Sequence, residues 1–251
     1  MKTNIFQVQD KVIKALKDER IPFIIYGGST ILRNKAVSID DIDILVKLDD
    51  WKSGKIDNIM KRLGSPDYIP FVFEKKFKLN DVPIEIKWQT HPVICENVKE
   101  IWQMRFKYID INGVQVKTFD DLFNSLFMCI HAHKHIISGT NKIRNLEDIK
   151  VFIETNRIDI DLLDHFAQLK RREKIVRKIL ALVRDLYGLN IPNWKHNYKR
   201  EDILYPERHS MPVDKITLEY LRPKDRLWYR QILRHPDPRL YPRITGYGGV
   251  I

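Results

Sequence analysis

The sequence is poor in cysteine, and it has no long apolar run. Only two cysteines occur among 251 residues, Cys95 and Cys129, each in an apolar or helical context. Two thiols without metal-ligand spacing exclude a disulfide scaffold and a cysteine-built zinc centre, so both are read as reduced and structural. No apolar stretch approaches the roughly 20 residues of a membrane-spanning helix, and no membrane partner is expected. The start, Met1-Lys2-Thr3-Asn4, lacks a signal-peptide pattern, so the expected location is cytoplasmic. No internal repeat is visible. With 43% hydrophobic and 31% charged residues, the composition is that of a globular protein with room for one or two cores.

Acidic residues are outnumbered. Lys and Arg total 44 against 33 Asp and Glu, a net charge of +11. The excess is larger after residue 117, where 24 basic residues face 17 acidic ones. Lys170-Arg171-Arg172 and the run from Arg222 to Arg243 carry much of it. A basic surface suits a polyanion such as tRNA or another RNA. The plainer explanations are a solvated helix face and the binding of a triphosphate alone.

Glycines number only ten, yet two are adjacent in Ile25-Tyr26-Gly27-Gly28-Ser29-Thr30. The apolar run before them suits a buried strand. Gly27 and Gly28 let the backbone turn sharply and approach a ligand closely. Ser29 and Thr30 can cap a following helix, whose free N–H groups favour a phosphate. Arg33, four residues after Ser29, is a further candidate for phosphate, or an exposed side chain. A second strand pattern follows, Asp41-Ile42-Asp43-Ile44-Leu45-Val46. Residues two apart on a strand share a face, so Asp41 and Asp43 point the same way. Two carboxylates on one face need a cation, and magnesium (or manganese) prefers oxygen ligands.

Val82-Pro83-Ile84-Glu85-Ile86-Lys87-Trp88 supplies a third acid. Glu85 lies between two β-branched residues that would face the opposite side. Three carboxylates converge if this strand lies beside that of Asp41 and Asp43. Metal-assisted phosphoryl or nucleotidyl transfer needs such a set. Glu74 and Asp81 are the alternatives for the third acid.

The Gly-Gly-Ser turn, the spacer and the Asp-Ile-Asp-Ile strand together resemble the signature of the DNA polymerase β-like nucleotidyltransferase superfamily. His131-Ala132-His133-Lys134-His135, with Asn145-Leu146-Glu147-Asp148-Ile149 downstream, is similar to a bacterial and archaeal branch in which a His-Ala-x-Lys-His helix follows the catalytic domain. The resemblance spans residues 20 to 155. It implies an α+β fold, a nucleotidyltransferase-type mixed sheet with flanking helices followed by a mostly helical domain. It implies that Gly27, Gly28 and Ser29 hold the phosphates of a nucleoside triphosphate. Asp41, Asp43 and Glu85 would be the catalytic, magnesium-binding acids. Lys134 becomes the best candidate on the histidine helix for a phosphate contact, with His131 and His135 facing the cleft and Asp148 orienting a histidine. The bland reading is an interface helix with satisfied histidines. Zinc would need a third ligand that the spacing does not supply.

A domain boundary is expected near residue 117, giving a catalytic domain over 1–117 and a helical domain with a basic, proline-rich arm over 118–251. Periodicity predicts helices over 4–19, 51–63, 119–137, 144–154, 159–170 and 172–188. Strands are expected over 22–26, 41–48, 69–79 and 82–88. Hairpins turn at Asn80-Asp81 and Asn112-Gly113. Thr118 is the expected N-cap of the long helix. Leu162, Leu163, Phe166 and Leu169 are expected to form one apolar stripe. The arm from 190 onward is expected to carry one helix, near 216–221 or 225–233. The expected reaction is transfer of a nucleoside monophosphate to an acceptor hydroxyl. RNA or tRNA is the favoured acceptor, with small-molecule or protein nucleotidylation next. A non-catalytic binding module and a structural partner protein are the rivals from other classes.

Overall fold

The computed structural model describes residues 5–27, 41–70, 74–88, 102, 104–137 and 144–198. These fall into two compact units that divide between Phe119 and Asp120. In the first unit, α1 (Ile5–Asp18) is followed by β1 (Phe23–Tyr26), β2 (Ile42–Val46), α2 (Leu48–Lys52) and α3 (Lys55–Arg62). Then come β3 (Tyr68–Pro70), β4 (Glu74–Leu79), β5 (Val82–Lys87), β6 (Phe106–Ile111) and β7 (Val114–Phe119).

Five strands form one mixed sheet in the order β1-β2-β5-β4-β3. The β2–β5 pairing is parallel and the others are antiparallel. Its centre is apolar. All four residues of β1 are buried, and Asp43 alone in β2 is not fully enclosed. Val8, Val12, Ile13 and Leu16 give α1 one buried face at helical spacing. β4 and β5 join through Asn80 and Asp81, both with positive φ, as a two-residue hairpin requires. β6 and β7 pair separately around Asn112-Gly113. Their ladder meets β1 through Phe119, whose ring lies edge-on to Tyr26 at 5.8 Å.

The single helix expected over 51–63 is two helices. Gly54, at φ +76°, breaks it, and Ser53 satisfies the exposed backbone on both sides. The apolar run over 69–79 contains two separate strands, β3 and β4.

The second unit contains α4 (Asp121–Ile137), α5 (Arg144–Asn156), α6 (Ile160–Leu169) and α7 (Glu173–Tyr187). Asp120, not Thr118, caps α4: its carboxylate accepts from the Phe123 N–H at 2.9 Å. The chain is still in β7 at Thr118, so its hydroxyl is buried in the sheet instead. Asp159 caps α6 through the N–H groups of Asp161 and Leu162. The expected stripe on α6 is shifted. Leu163 and Ala167, four apart, are buried, while Leu162 and Leu169 are exposed. Asp164 joins the buried side because Arg177 and Gln168 satisfy its carboxylate. α7 buries Ile175, Val176, Ile179, Leu180, Leu182 and Val183 and ends at Gly188, φ +72°. Residues 189–198 form no helix or strand, and the helix expected farther along the arm lies outside the described residues. Among the described residues, no helix is long and apolar enough to cross a membrane.

Candidate active site

Sheet register gathers the acids. Asp43 on β2 is paired with Glu85 on β5, and Glu85 in turn with Lys76 on β4. Tyr26 on β1 completes this row. The next row on the same face is Ile24, Leu45, Lys87 and Glu74. Two acids and two lysines therefore crowd onto four neighbouring strand positions beside Asp43. Ile84 and Ile86, on either side of Glu85, point into the opposite, buried face, which explains an acid flanked by β-branched residues.

Lys87 bridges the acids. Its Nζ lies 2.7 Å from Asp43 Oδ1, 2.6 Å from Glu85 Oε2 and 3.3 Å from Glu74 Oε2. Lys76 adds a contact of 2.5 Å to Glu85 and one of 3.3 Å to Glu74. Burial pushes the Asp43 carboxyl up to about 7; Lys87 pulls it back only partly, and Asp41 and Glu85 add repulsion. Burial also works against the Glu85 carboxylate, yet Lys87 and Lys76 together overcome it and hold that group down to about 2. The difference has a simple origin, since Glu85 owns two ammonium partners and Asp43 shares one.

Gly27 shapes the space next to Asp43. It sits at φ +77°, and a Cβ there would lie 2.8 Å from Asp43 Oδ2. A side chain there would crowd that carboxylate oxygen. Hard carboxylate oxygens beside a cradle that a Cβ would fill suit magnesium. Lys87 holds the cationic position between Asp43 and Glu85. Among the described residues, no three His, Cys, Asp or Glu side chains are gathered as a ready metal cage.

Of the residues singled out in the sequence, Asp43 and Glu85 are brought side by side. Asp41 stands just before β2 rather than within it, half-buried and near enough to act on the Asp43 charge. Gly27 closes β1. Gly28, Ser29 and Arg33 lie outside the described residues. Of the alternative acids, Glu74 joins the cluster through Lys87, whereas Asp81 is exposed at the hairpin tip beside Lys78. Lys76 and Lys87 were missed as site residues. Two-residue alternation from Glu85 would have found Lys87, and the Asn80-Asp81 turn fixes the register that brings in Lys76.

Lys134, half-buried, lies on α4 in the second unit. On the same helix His131 and His135 face each other, their Nε2 atoms 2.9 Å apart. His133 is buried against the Tyr198 hydroxyl, and burial with the nearby Lys178 lowers its imidazole to about 4. Asp148 and Glu147 on α5 lie near Tyr187 and, after burial, help raise its hydroxyl. Cys129 is buried and free, its thiol pushed up to about 12 by burial, as befits a structural residue. Cys95 lies outside the described residues.

A family described as uncharacterised nucleotidyltransferase matches residues 3–188, most of the chain. The chain belongs to this nucleotidyltransferase family. The chain is similar to solved structures of two nucleotidyltransferase-type proteins. ANT(2")-Ia in complex with adenylyl-2"-tobramycin matches at 15% identity with a TM-score of 0.50, over 74% of this chain and 99% of that one. The solution structure of the same antibiotic-resistance factor gives 15% identity and a TM-score of 0.49, over 75% and 95%. A nucleotidyltransferase-like protein from Paracoccidioides brasiliensis gives 14% identity and 0.44, over 78% and 95%. Among curated proteins, no sequence matches. The family agrees with the resemblance carried by the glycine turn and the acid strand, and the structure at a TM-score of 0.50 agrees with an α+β fold of this type.

Proposed function

We propose that this nucleotidyltransferase moves a nucleoside monophosphate from a nucleoside triphosphate to an acceptor hydroxyl, releasing pyrophosphate. The observation that carries the reading is the register that sets Asp43 beside Glu85, with Gly27 open above Asp43. Asp43 and Glu85, with Asp41 at the strand entry, would hold magnesium or manganese; when bound, it supplies charge stabilisation at the triphosphate oxygens. Gly27, Gly28 and Ser29 would bind the phosphates through backbone N–H groups, and Arg33 would add positive charge. Glu85 would help hold the metal or take the acceptor's proton as the new oxygen–phosphorus bond forms and the bond to pyrophosphate breaks. Lys87, released from the acids by an incoming cation, would turn to phosphate.

The net charge of +11 favours RNA, including tRNA, as acceptor. A small hydroxylated molecule is the second reading, prompted by the adenylylated tobramycin in the similar structure. The test uses the four α-labelled nucleoside triphosphates with magnesium, offering total RNA, cell protein and a metabolite extract as separate acceptors. Label should enter one fraction and vanish with Asp41→Asn/Asp43→Asn. A well-folded double variant that still transfers label would refute the assignment.

A further inference from the structure

A second basic site lies at the other end of the strands that carry Asp43. The ends of β1 and β2 remote from the acids, together with α1 and the β6–β7 hairpin, border a cavity of about 520 Å³. Lys17, Arg20, Lys47 and Lys117 line it, with the aromatic residues Trp102 and Tyr108. Phe23, at its wall, is three residues from Tyr26, so the cavity is about 10 Å from the acid row along the strand.

Several features separate this cavity from an ordinary solvated surface. Among the described residues, none of the four cations has a carboxylate partner, in a chain where Lys75, Lys76, Lys78 and Lys87 all do. Lys47 and Lys117 stand close enough to repel, and burial with that repulsion lowers the Lys117 ammonium. Arg20 occupies the position that ends α1 in a Schellman motif: its N–H bonds to the Lys17 carbonyl, and the Ile21 N–H to that of Leu16. Its φ is +55°, where glycine is usual and an arginine costs about 1 kcal/mol. Arg20 lines the cavity from this position. Flat rings lie among the charges. Lys47 Nζ lies 5.9 Å from the Trp102 ring centre, Lys117 Nζ 3.7 Å from that of Phe106, and Tyr108 is 67% exposed. Unpaired cations interleaved with open aromatic faces recognise phosphate and base together.

We infer that this cavity binds a nucleotide, through phosphate on Lys17, Arg20, Lys47 and Lys117 and base stacking on Tyr108 or Trp102. The ligand is either a stretch of single-stranded RNA or a free nucleotide. The site is separate from the transfer reaction, and its test needs no catalysis.

The test is fluorescence anisotropy with a labelled ten-residue oligouridylate in EDTA, where metal-dependent binding at the acids is silent. Four phosphate contacts predict a slope of log affinity against log salt near −3, a loss of roughly 50-fold between 50 and 200 mM salt. Lys47→Gln/Lys117→Gln should halve that slope and weaken binding at least tenfold. Arg20→Gly should weaken it several-fold while leaving the melting temperature equal or higher, which separates charge from folding. Tyr108→Ala should weaken binding without changing the slope. Competition by AMP assigns the site to free nucleotide, and competition by oligomer alone assigns it to an RNA strand. No binding by the wild type, affinity unchanged in the lysine and arginine variants, or inorganic phosphate competing as well as AMP and oligomer would overturn the proposal.

Discussion

Gly27→Ala offers a sharp test of the acid cluster because the same chain contains a matched control. Gly27 and Gly54 have nearly the same backbone, φ +77° and +76°. A Cβ at Gly54 meets nothing within 4 Å, while one at Gly27 lies 2.8 Å from Asp43 Oδ2. Both alanines carry the left-handed strain of about 1–2 kcal/mol. In a chain of this size that lowers the melting temperature by about 3–6 °C. Only Gly27→Ala also displaces a carboxylate, by several tenths of an ångström, and such misplacements cost on the order of tenfold or more in rate. Differential scanning fluorimetry and a magnesium-dependent transfer assay should therefore show stability losses of the same order, the larger at Gly27, with activity lost only in Gly27→Ala. Equal activity in the two variants would show that the space over Asp43 is irrelevant to catalysis.

Three further outcomes follow from the charges. The Asp43 carboxyl is raised to about 7, so the folded state holds its proton more tightly than the unfolded state. Its contribution to stability is therefore complete below the usual carboxylate range and lost as pH rises toward 7. Melting curves in EDTA should show this as a pH-dependent difference from Asp43→Asn, and a constant difference would refute it. His133 is lowered to about 4, so its contribution is present above about 6.5 and lost as pH falls toward 4. His133→Gln should flatten the acid limb of the stability profile. Lys75 is buried, with Nζ 2.8 Å from both Asp57 oxygens and 4.6 Å from the Trp51 ring centre. Asp57→Ala strands that ammonium and should cost about 2–3 kcal/mol in chemical denaturation, whereas Lys75→Met with Asp57→Ala should recover much of the loss.

Much of the site was legible because strand chemistry is local. The two-residue alternation at Asp41-Ile42-Asp43 and Ile84-Glu85-Ile86 announces which side chains share a face, and the turn at Asn80-Asp81 announces the hairpin. What alternation cannot announce is which strands are neighbours, and so the pairing of Asp43 with Glu85 stayed conditional until β5 was seen beside β2. Gly54 falls inside the helix expected over 51–63, yet its left-handed backbone ends one helix and starts another. Thr118 looked like a cap because its spacing to Asp121 fits; the strand simply continues past it. The α6 stripe failed because Asp164 is enclosed by its bond to Arg177, a partner thirteen residues away that hydrophobic periodicity cannot register.

The parallel contact between β2 and β5 also sets the order in which the protein becomes an enzyme. Asp43 and Glu85 are 42 positions apart, and between them the chain must form α2, α3 and the β4 arm of a hairpin. A nascent chain that has displayed only the first two carboxylates has not yet assembled the candidate site. Closing so long a loop is entropically costly and slow relative to helix or hairpin formation. Docking of β5 against β2 is then the step at which the acids first meet. Until it occurs, Asp43 is on a separate piece of a partly folded chain from Lys87, Glu85 and Glu74, so the hairpin carries its own charge cluster before the fourth member arrives.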